Sequence, residues 1–528
     1  MSSDPTAPTA PTVPTAPTAP RTGWASLRDL TGYQWFVFIV CCLAWDMDCL
    51  DQQLFVLARR PAMSELVAPV TADDPRLPEF SRKLADKAAA DGRPAPTPEQ
   101  VRTALQNADI ADASTYATSF FMLGWAVGGI GFGIMGDRYG RVKTLMLTIG
   151  LYAVFTGLSA LSQSTTDFHI YRFLTGLGVG GVFAAAVTLL ADTMPDNARP
   201  YTLGLFQASS VLGNCTAALL SMWFGSMAER GLFAGETLLG FPLTPWRLMF
   251  LVGIIPGLLV VVIQLKLREP EKWKQAVAAG GLRKAGSYRE LLGDPRWRTR
   301  ALGGLVLALS GVIGLWGIAF FSPDLQSYVA EPTYRQQARD LNLEGSDGPA
   351  DKPFPKDSAA DKYVTGQKAY WAGITSLVQN IGAFFGIFAF SLVTGVIGRK
   401  PTFALFLTLA ASSTAVVFLY LDSWSDILWM VPMMGFFQLA LFGGYAIYFP
   451  ELFPTRLRST GTSFCYNVGR LVAAVGPFAL GKLASVVYAH LPAPEPLRYA
   501  GVTMCGVFLL GLLVLPLLPE TKGKPLPD

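Results

Sequence analysis

Charge is the scarcest commodity in this chain. Asp, Glu, Lys and Arg together make up 15% of its 528 residues, against about 25% in soluble domains. That excludes a set of ordinary soluble domains, and 51% hydrophobic residues with a mean hydropathy of +0.37 point to a polytopic membrane protein. The net charge of +4 is too small to suggest nucleic acid as a partner. Only two histidines occur, His169 and His490, so a His-rich metal site is not available. The six cysteines (Cys41, Cys42, Cys49, Cys215, Cys465 and Cys505) all fall in apolar stretches without zinc-like spacing, and read as small packing residues with no disulfide implied. No nucleophile–base constellation appears, so no enzyme is expected, and no cofactor. The first 20 residues are a Pro-Thr-Ala repeat without an apolar core. They exclude a signal peptide and read as a disordered tail.

What the chain does have is apolar segments of about 20 residues, the length a bilayer requires. Twelve are expected, over 33–57, 115–135, 144–163, 170–191, 203–227, 246–266, 301–322, 371–393, 402–421, 427–449, 462–488 and 499–518. Short basic loops follow the second (Arg138, Arg141, Lys143), the eighth (Arg399, Lys400) and the tenth (Arg456, Arg458), and a basic linker spans 267–300 with Lys272, Lys274, Arg283, Lys284 and Arg289. All lie on one side, which the positive-inside rule makes cytoplasmic, with both termini. Two long stretches on the other side, 58–114 and 323–370, carry mixed charge and short surface helices such as 80–90. They are either a lid or insertions.

The chain also repeats itself. Asp192-Thr-Met-Pro195 through Arg199 matches Glu451-Leu-Phe-Pro454 through Arg458, and Gly140-Arg141 is echoed by Gly398-Arg399. Two six-helix halves around a charged linker form the pattern of a duplicated transporter that rocks about a central site. The domains expected are a tail (1–24), an N-terminal bundle (25–266), the linker (267–300), a C-terminal bundle (301–520) and a short cytoplasmic tail (521–528).

The first apolar segment contains Asp46, Asp48 and Asp51. A carboxylate near the bilayer centre costs about 2.5–3.5 kcal/mol on insertion scales, so such acids mark functional sites by default. Asp48 and Asp51 are three apart and share a helix face; Asp46 points roughly 160° away from Asp48. Either the pair handles a proton or substrate along an aqueous path, or it is fixed in a structural ion pair with a distant Arg.

Gly136-Asp137-Arg138-Tyr139-Gly140-Arg141-Val142-Lys143 resembles the signature loop of the major facilitator superfamily. Arg172-Phe-Leu-Thr-Gly176-Leu-Gly178-Val-Gly180 is similar to that family's fourth-helix stretch. Pro450-Glu451 through Gly461 looks like its helix 10–11 gate loop, and Pro519-Glu520-Thr521-Lys522-Gly523 resembles the motif closing its last helix. Asp48-Cys-Leu-Asp51 and Tyr466-Asn467-Val-Gly469-Arg470 resemble the branch that couples organic acids, aromatic acids and sialate among them, to protons.

The resemblance implies an all-α membrane protein of twelve transmembrane helices in two pseudo-symmetric six-helix bundles. It implies a monomer in the cell (inner) membrane, moving a small organic anion with protons by alternating access. Asp51 and Asp48 would carry the proton with Arg172 as partner. Arg470 would grip the substrate carboxylate or neutralise a first-helix Asp. Gln52, Gln207, Gln379, Asn380, Gln438, Tyr445 and Asn467 are further cavity candidates, with interhelical glue as their other reading. Gly136, Asp137, Arg138, Gly140, Arg141, Asp192, Arg199, Glu451, Arg456 and Arg458 would form the inner gates or serve structure alone. Trp125 and Trp316 read as packing. The seventh segment is almost wholly apolar, unlike a sugar porter, although Gln207 does resemble a sugar-porter position; Ser210-Val-Leu-Gly-Asn-Cys replaces the Gly-Pro of drug antiporters. Gly395 stands where the signature acid would be in the second half, which predicts an asymmetric inner gate. Sugar symport, export and a non-transporting sensor remain the alternatives.

Overall fold

The computed structural model describes residues 23–527 apart from 91–94, 230–231, 233–235, 239, 279–284, 348–353, 356–357, 474, 489 and 493. The Pro-Thr-Ala tail through residue 22, and Arg283 and Lys284 of the linker, lie outside the described residues. Among the described residues, eleven helices are long and apolar enough to cross a membrane. They are α1 (Gly32–Leu66), α2 (Pro98–Tyr139), α3 (Arg141–Ser159), α4 (Thr165–Thr193), α5 (Arg199–Glu229), α6 (Pro245–Lys266), α7 (Pro295–Asp340), α8 (Ala359–Ile397), α9 (Arg399–Tyr420), α10 (Trp424–Leu452) and α12 (Glu495–Leu517). The twelfth, α11, is interrupted: Arg458–Ser463, a π turn at Phe464–Val468, Gly469–Ala473, Val475–Lys482 and a second π turn at Leu483–Val487. Large apolar side chains such as Trp223, Leu265, Phe478 and Leu513 face outward, as a lipid-facing belt requires.

Several helices outrun the apolar segments that announce them. The expected 58–114 connection shrinks to 67–97, because α1 continues to Leu66 and α2 starts at Pro98 behind a Thr97–Gln100 capping box. The expected 323–370 connection shrinks to 341–358. Hydropathy stops at the bilayer edge, but helix-forming residues such as those of Tyr334–Asp340 keep the backbone coiled beyond it. What is left of each connection packs on its own half. Arg76 pairs with Asp109 of α2 at 2.8 Å, and Tyr334, Ala338, Phe354, Ala360 and Val364 form a small separate core on the extensions of α7 and α8.

Each half is held by backbone-on-backbone contact. A Cβ at Gly128 of α2 would lie 2.0 Å from the Leu177 carbonyl of α4, and one at Gly386 of α8 would lie 1.9 Å from the Phe436 carbonyl of α10. Small residues let membrane helices approach this closely, and dispersion then replaces a hydrophobic drive that lipid does not supply.

Candidate functional site

The short basic loops meet on one face of the molecule, here the basic face, and hold the two halves together there. Asp137, at the end of α2, accepts from the backbone N–H of Ser459 (3.0 Å) and Thr460 (2.9 Å) and from the Thr460 hydroxyl (2.7 Å), across the seam. Arg141 donates to Asp192 of its own half at 3.1 Å and to the Thr455 carbonyl at 2.6 Å. Arg458 of the other half donates to the second oxygen of the same Asp192. Deeper in the seam the Ser463 hydroxyl donates to the Gly129 carbonyl, and Phe183 stacks on Tyr466 at 3.9 Å.

The second half repeats the arrangement without the cross-seam bonds. Glu451 accepts from Arg399 of its own half at 2.9 and 3.0 Å, and Arg199 turns to Asp196. The predicted asymmetry has a physical form: at Gly395 a Cβ would lie 2.7 Å from the hydroxyl of Tyr201, so a phenol occupies the space the acid would need. Arg138 bonds the Ala285 carbonyl (2.9 Å) and Arg456 pairs with Glu290 (2.8 Å), which fastens the linker to the same face.

The tight turns Gly140 (φ +115°) and Gly398 (φ +99°) need glycine. Beside each, a carboxylate covers a helix N-terminus. Glu269 accepts from the N–H groups of Arg141, Val142 and Lys143, and Glu520 from those of Arg399 and Lys400 at 3.0 Å. Glu269 had no motif to give it away; its only signal was the symmetry with Glu520. Partial burial opposes the charge on Glu520. The Arg399, Lys522, Lys400 and Thr521 N–H groups outweigh it and hold the carboxyl below the usual carboxylate range. The stability this contributes is present above the unfolded value of about pH 4.3 and is lost as pH falls through the lower folded value. Glu520→Gln should therefore melt earlier at neutral pH and lose less on acidification than the parent, as read by Tm in detergent between pH 7 and pH 3.5.

Away from the basic face the halves part around a cavity of about 410 Å³. Its floor and wall include Gln52, Trp125, Trp316, Asn467 and Arg470, and its upper wall includes Arg59 and Thr118. The exposed Thr115 and Ser119 also line it, so it opens toward the face opposite the gates. The π turns at Ile313–Ile318 and Phe464–Val468 bring Trp316 and Asn467 to this wall; such turns recur at functional sites.

Arg470 is the reactive feature of the wall. One nitrogen donates to the Tyr466 hydroxyl at 2.8 Å, while buried Nε and Nη1 have no partner among the described residues. The guanidinium lies over Trp125 (4.1 Å to the ring centre) and Tyr466 (4.3 Å). Trp125 thus packs against a cation as well as against Phe121. Behind the wall, Asp48 accepts from Gln52 at 2.9 Å and lies within the field of Arg470.

Asp48 and Asp51 are fully buried, and neither lines the cavity directly. Asp48 sits one hydrogen bond behind it. Asp51 is turned into the N-terminal bundle, where the Thr156 hydroxyl donates to it at 2.6 Å. Arg172 donates to Ser159 at 2.6 Å and to Thr175 at 3.0 Å, and lies 4.6 Å over the Phe250 ring. Thr156 and Ser159 are one turn apart on α3, so two hydroxyls stand between Asp51 and Arg172, which feel each other's charge without forming an ion pair.

The other amide candidates divide. Gln52 and Asn467 line the cavity with Arg470, and Asn467 also donates to the Gly180 carbonyl at 3.1 Å across the seam. Gln207, Gln379, Asn380, Gln438 and Tyr445 do not line it. Tyr445 is spent on the Leu307 carbonyl (2.8 Å), Gln438 on Thr414, and Asn380 on the Ser376 carbonyl of its own helix (2.9 Å). Gln379 packs its backbone carbonyl against Gly435, and Gln207 is buried.

Comparison with known proteins agrees with this architecture. Residues 101–344 match the model of the Major Facilitator Superfamily. A Haemophilus influenzae protein provisionally named a metabolite transport protein is 30% identical over 411 residues, covering 77% of this chain and 86% of its own. The chain belongs to the major facilitator superfamily. It is a multi-helix integral membrane transporter, and that membership, not any missing catalytic group, is why it is not an enzyme. The cis,cis-muconate transport protein of Acinetobacter baylyi is 28% identical over 374 residues, 70% of this chain and 77% of that one. Among solved structures, the proton:xylose symporter XylE superposes with a TM-score of 0.65 at 15% identity, covering 94% of this chain and 98% of its own, which is a likeness of fold.

Proposed function

We propose that this superfamily member is a proton-coupled symporter of a small organic anion, working by alternating access between bundles 25–266 and 301–520. The basic face is cytoplasmic with both termini, so the cavity is the outward-open site. The reading rests on Arg470: a cavity-lining guanidinium with two unpartnered buried donors and Asp48 directly behind it. An Arg fork suits a carboxylate. The muconate-transporting relative supports the organic-acid class, and the α7 wall of Val312, Trp316 and Phe321 offers no row of amides to a sugar.

Coupling then follows from charge. In the empty site Asp48 and Arg470 balance each other. When an anion takes Arg470, Asp48 is left without a counter-charge in a low-dielectric wall, an expensive arrangement. A proton on Asp48 restores neutrality, so anion and proton travel together. Asp51 and Arg172 form a second balanced couple that can be opened by movement of α3.

The test is transport in liposomes. At one proton per anion, a pH step of one unit supports about tenfold accumulation. Asp48→Asn or Asp51→Asn should remove that accumulation while exchange of labelled for unlabelled acid continues. Accumulation retained in both variants would overturn the coupling, and loss of exchange in both would reassign the acids to binding or folding.

A further inference from the structure

The cavity holds a second cation that the coupling scheme leaves unused. Arg59 stands on α1 two turns beyond Gln52, and both line the same space. One nitrogen of Arg59 donates to the Thr118 hydroxyl at 2.9 Å. It makes no ion pair among the described residues, and no Asp or Glu lines the cavity. Arg470 is fixed over Trp125. The α2 wall gives the spacing between the cations. Thr118, which bonds Arg59, and Trp125, which lies under Arg470, are seven residues apart. That corresponds to a rise of about 10 Å. The surface between is apolar and aromatic, with Phe55, Phe121 and Met122.

We propose that the transported anion is a dicarboxylate, held end to end between Arg470 at the bottom of the cavity and Arg59 near its mouth. The proposal rests on the organic-anion reading above and sharpens it. A hydrogen bond of about 3 Å at each end leaves at least about 4 Å between the facing carboxylate oxygens. The outer oxygens of an extended diacid, malonate included, reach that distance, and the apolar wall favours the longer chains and an aromatic ring. Charge fits as well. With one proton on Asp48, the two arginines carry +2 and a dianion cancels them.

Competition against uptake of a labelled acid by the full chain in liposomes tests this. The competitors are malonate, succinate, adipate, cis,cis-muconate and terephthalate, each beside its monomethyl ester. At least one of these diacids should compete tenfold or more better than its own monoester. Arg59→Gln should erase the gain and leave the monoesters unchanged, whereas Arg470→Gln should weaken both forms. Thermal shift of the two variants without ligand checks that they are folded. Monoesters that match their diacids, or an Arg59→Gln loss shared equally by both forms, would overturn the proposal while leaving the anion reading intact. If no acid of either form competes, the anion reading itself fails.

Discussion

Arg470→Ala should raise the acid concentration for half-maximal transport by roughly 30- to 4000-fold. Truncating one partner of a buried, hydrogen-bonded charge pair costs about 2–5 kcal/mol, and each 1.4 kcal/mol is tenfold. The size of the effect comes from the site's construction. Trp125 and Tyr466 hold the guanidinium in place, so little side-chain freedom is lost on binding. Nε and Nη1 await an acceptor and lose none when one arrives. Arg470→Lys should recover only part of the loss, because a point charge cannot reproduce the two-pronged contact. Initial rates of uptake in liposomes measure both. An unchanged half-saturation constant in Arg470→Ala would remove the substrate from this wall.

The second large effect is expected at the gate. Asp192→Asn removes the one charge that Arg141 and Arg458 share from opposite halves, all three side chains being fully buried. Breaking a buried pair costs about 3–5 kcal/mol; Arg141 keeps Asp137 at 3.3 Å, so the charge left behind is that of Arg458. The conformation in which the basic face parts lets water reach both guanidinium groups, so the equilibrium should move toward it by about two orders of magnitude or more. Spin labels at the exposed Tyr139 and Lys522, one on each half, should report a longer distance in the variant. Asp196→Asn is the matched control: its carboxylate also pairs with an Arg on this face, but within one half and with 64% of its side chain exposed. It should leave the distance distribution where it was. The same distribution in Asp192→Asn as in the parent would mean that the shared carboxylate does not hold the gate.

The fold was largely legible in the chain, and the failures have specific causes. The apolar segments located the membrane helices because burial in lipid demands them. They did not locate helix ends, since α2 and α8 continue on residues chosen for the loop face rather than the bilayer. Nothing in 462–488 announced the π turns of α11, which depend on how its neighbours pack. In the site, Arg470 and Asp48 stood out because charge in an apolar run is costly. Arg59 did not: next to Arg60 at the end of an apolar stretch, it reads as an ordinary flank. Gln438 and Tyr445 carried the same signal as Gln52, yet the Gln438 amide N–H and the Tyr445 hydroxyl found partners inside the C-terminal bundle. A polar group in such a helix advertises a need for a hydrogen bond, not the identity of the partner.

The tight glycine seams in each bundle have an evolutionary corollary. With no room for a methyl group between α2 and α4, or between α8 and α10, neither scaffold can be re-spaced to fit a different cargo. New selectivity has to be acquired by exchanging individual side chains on the cavity lining, while the hinge mechanics are inherited unchanged. Chemical taste and mechanical motion are, in this architecture, separately editable traits.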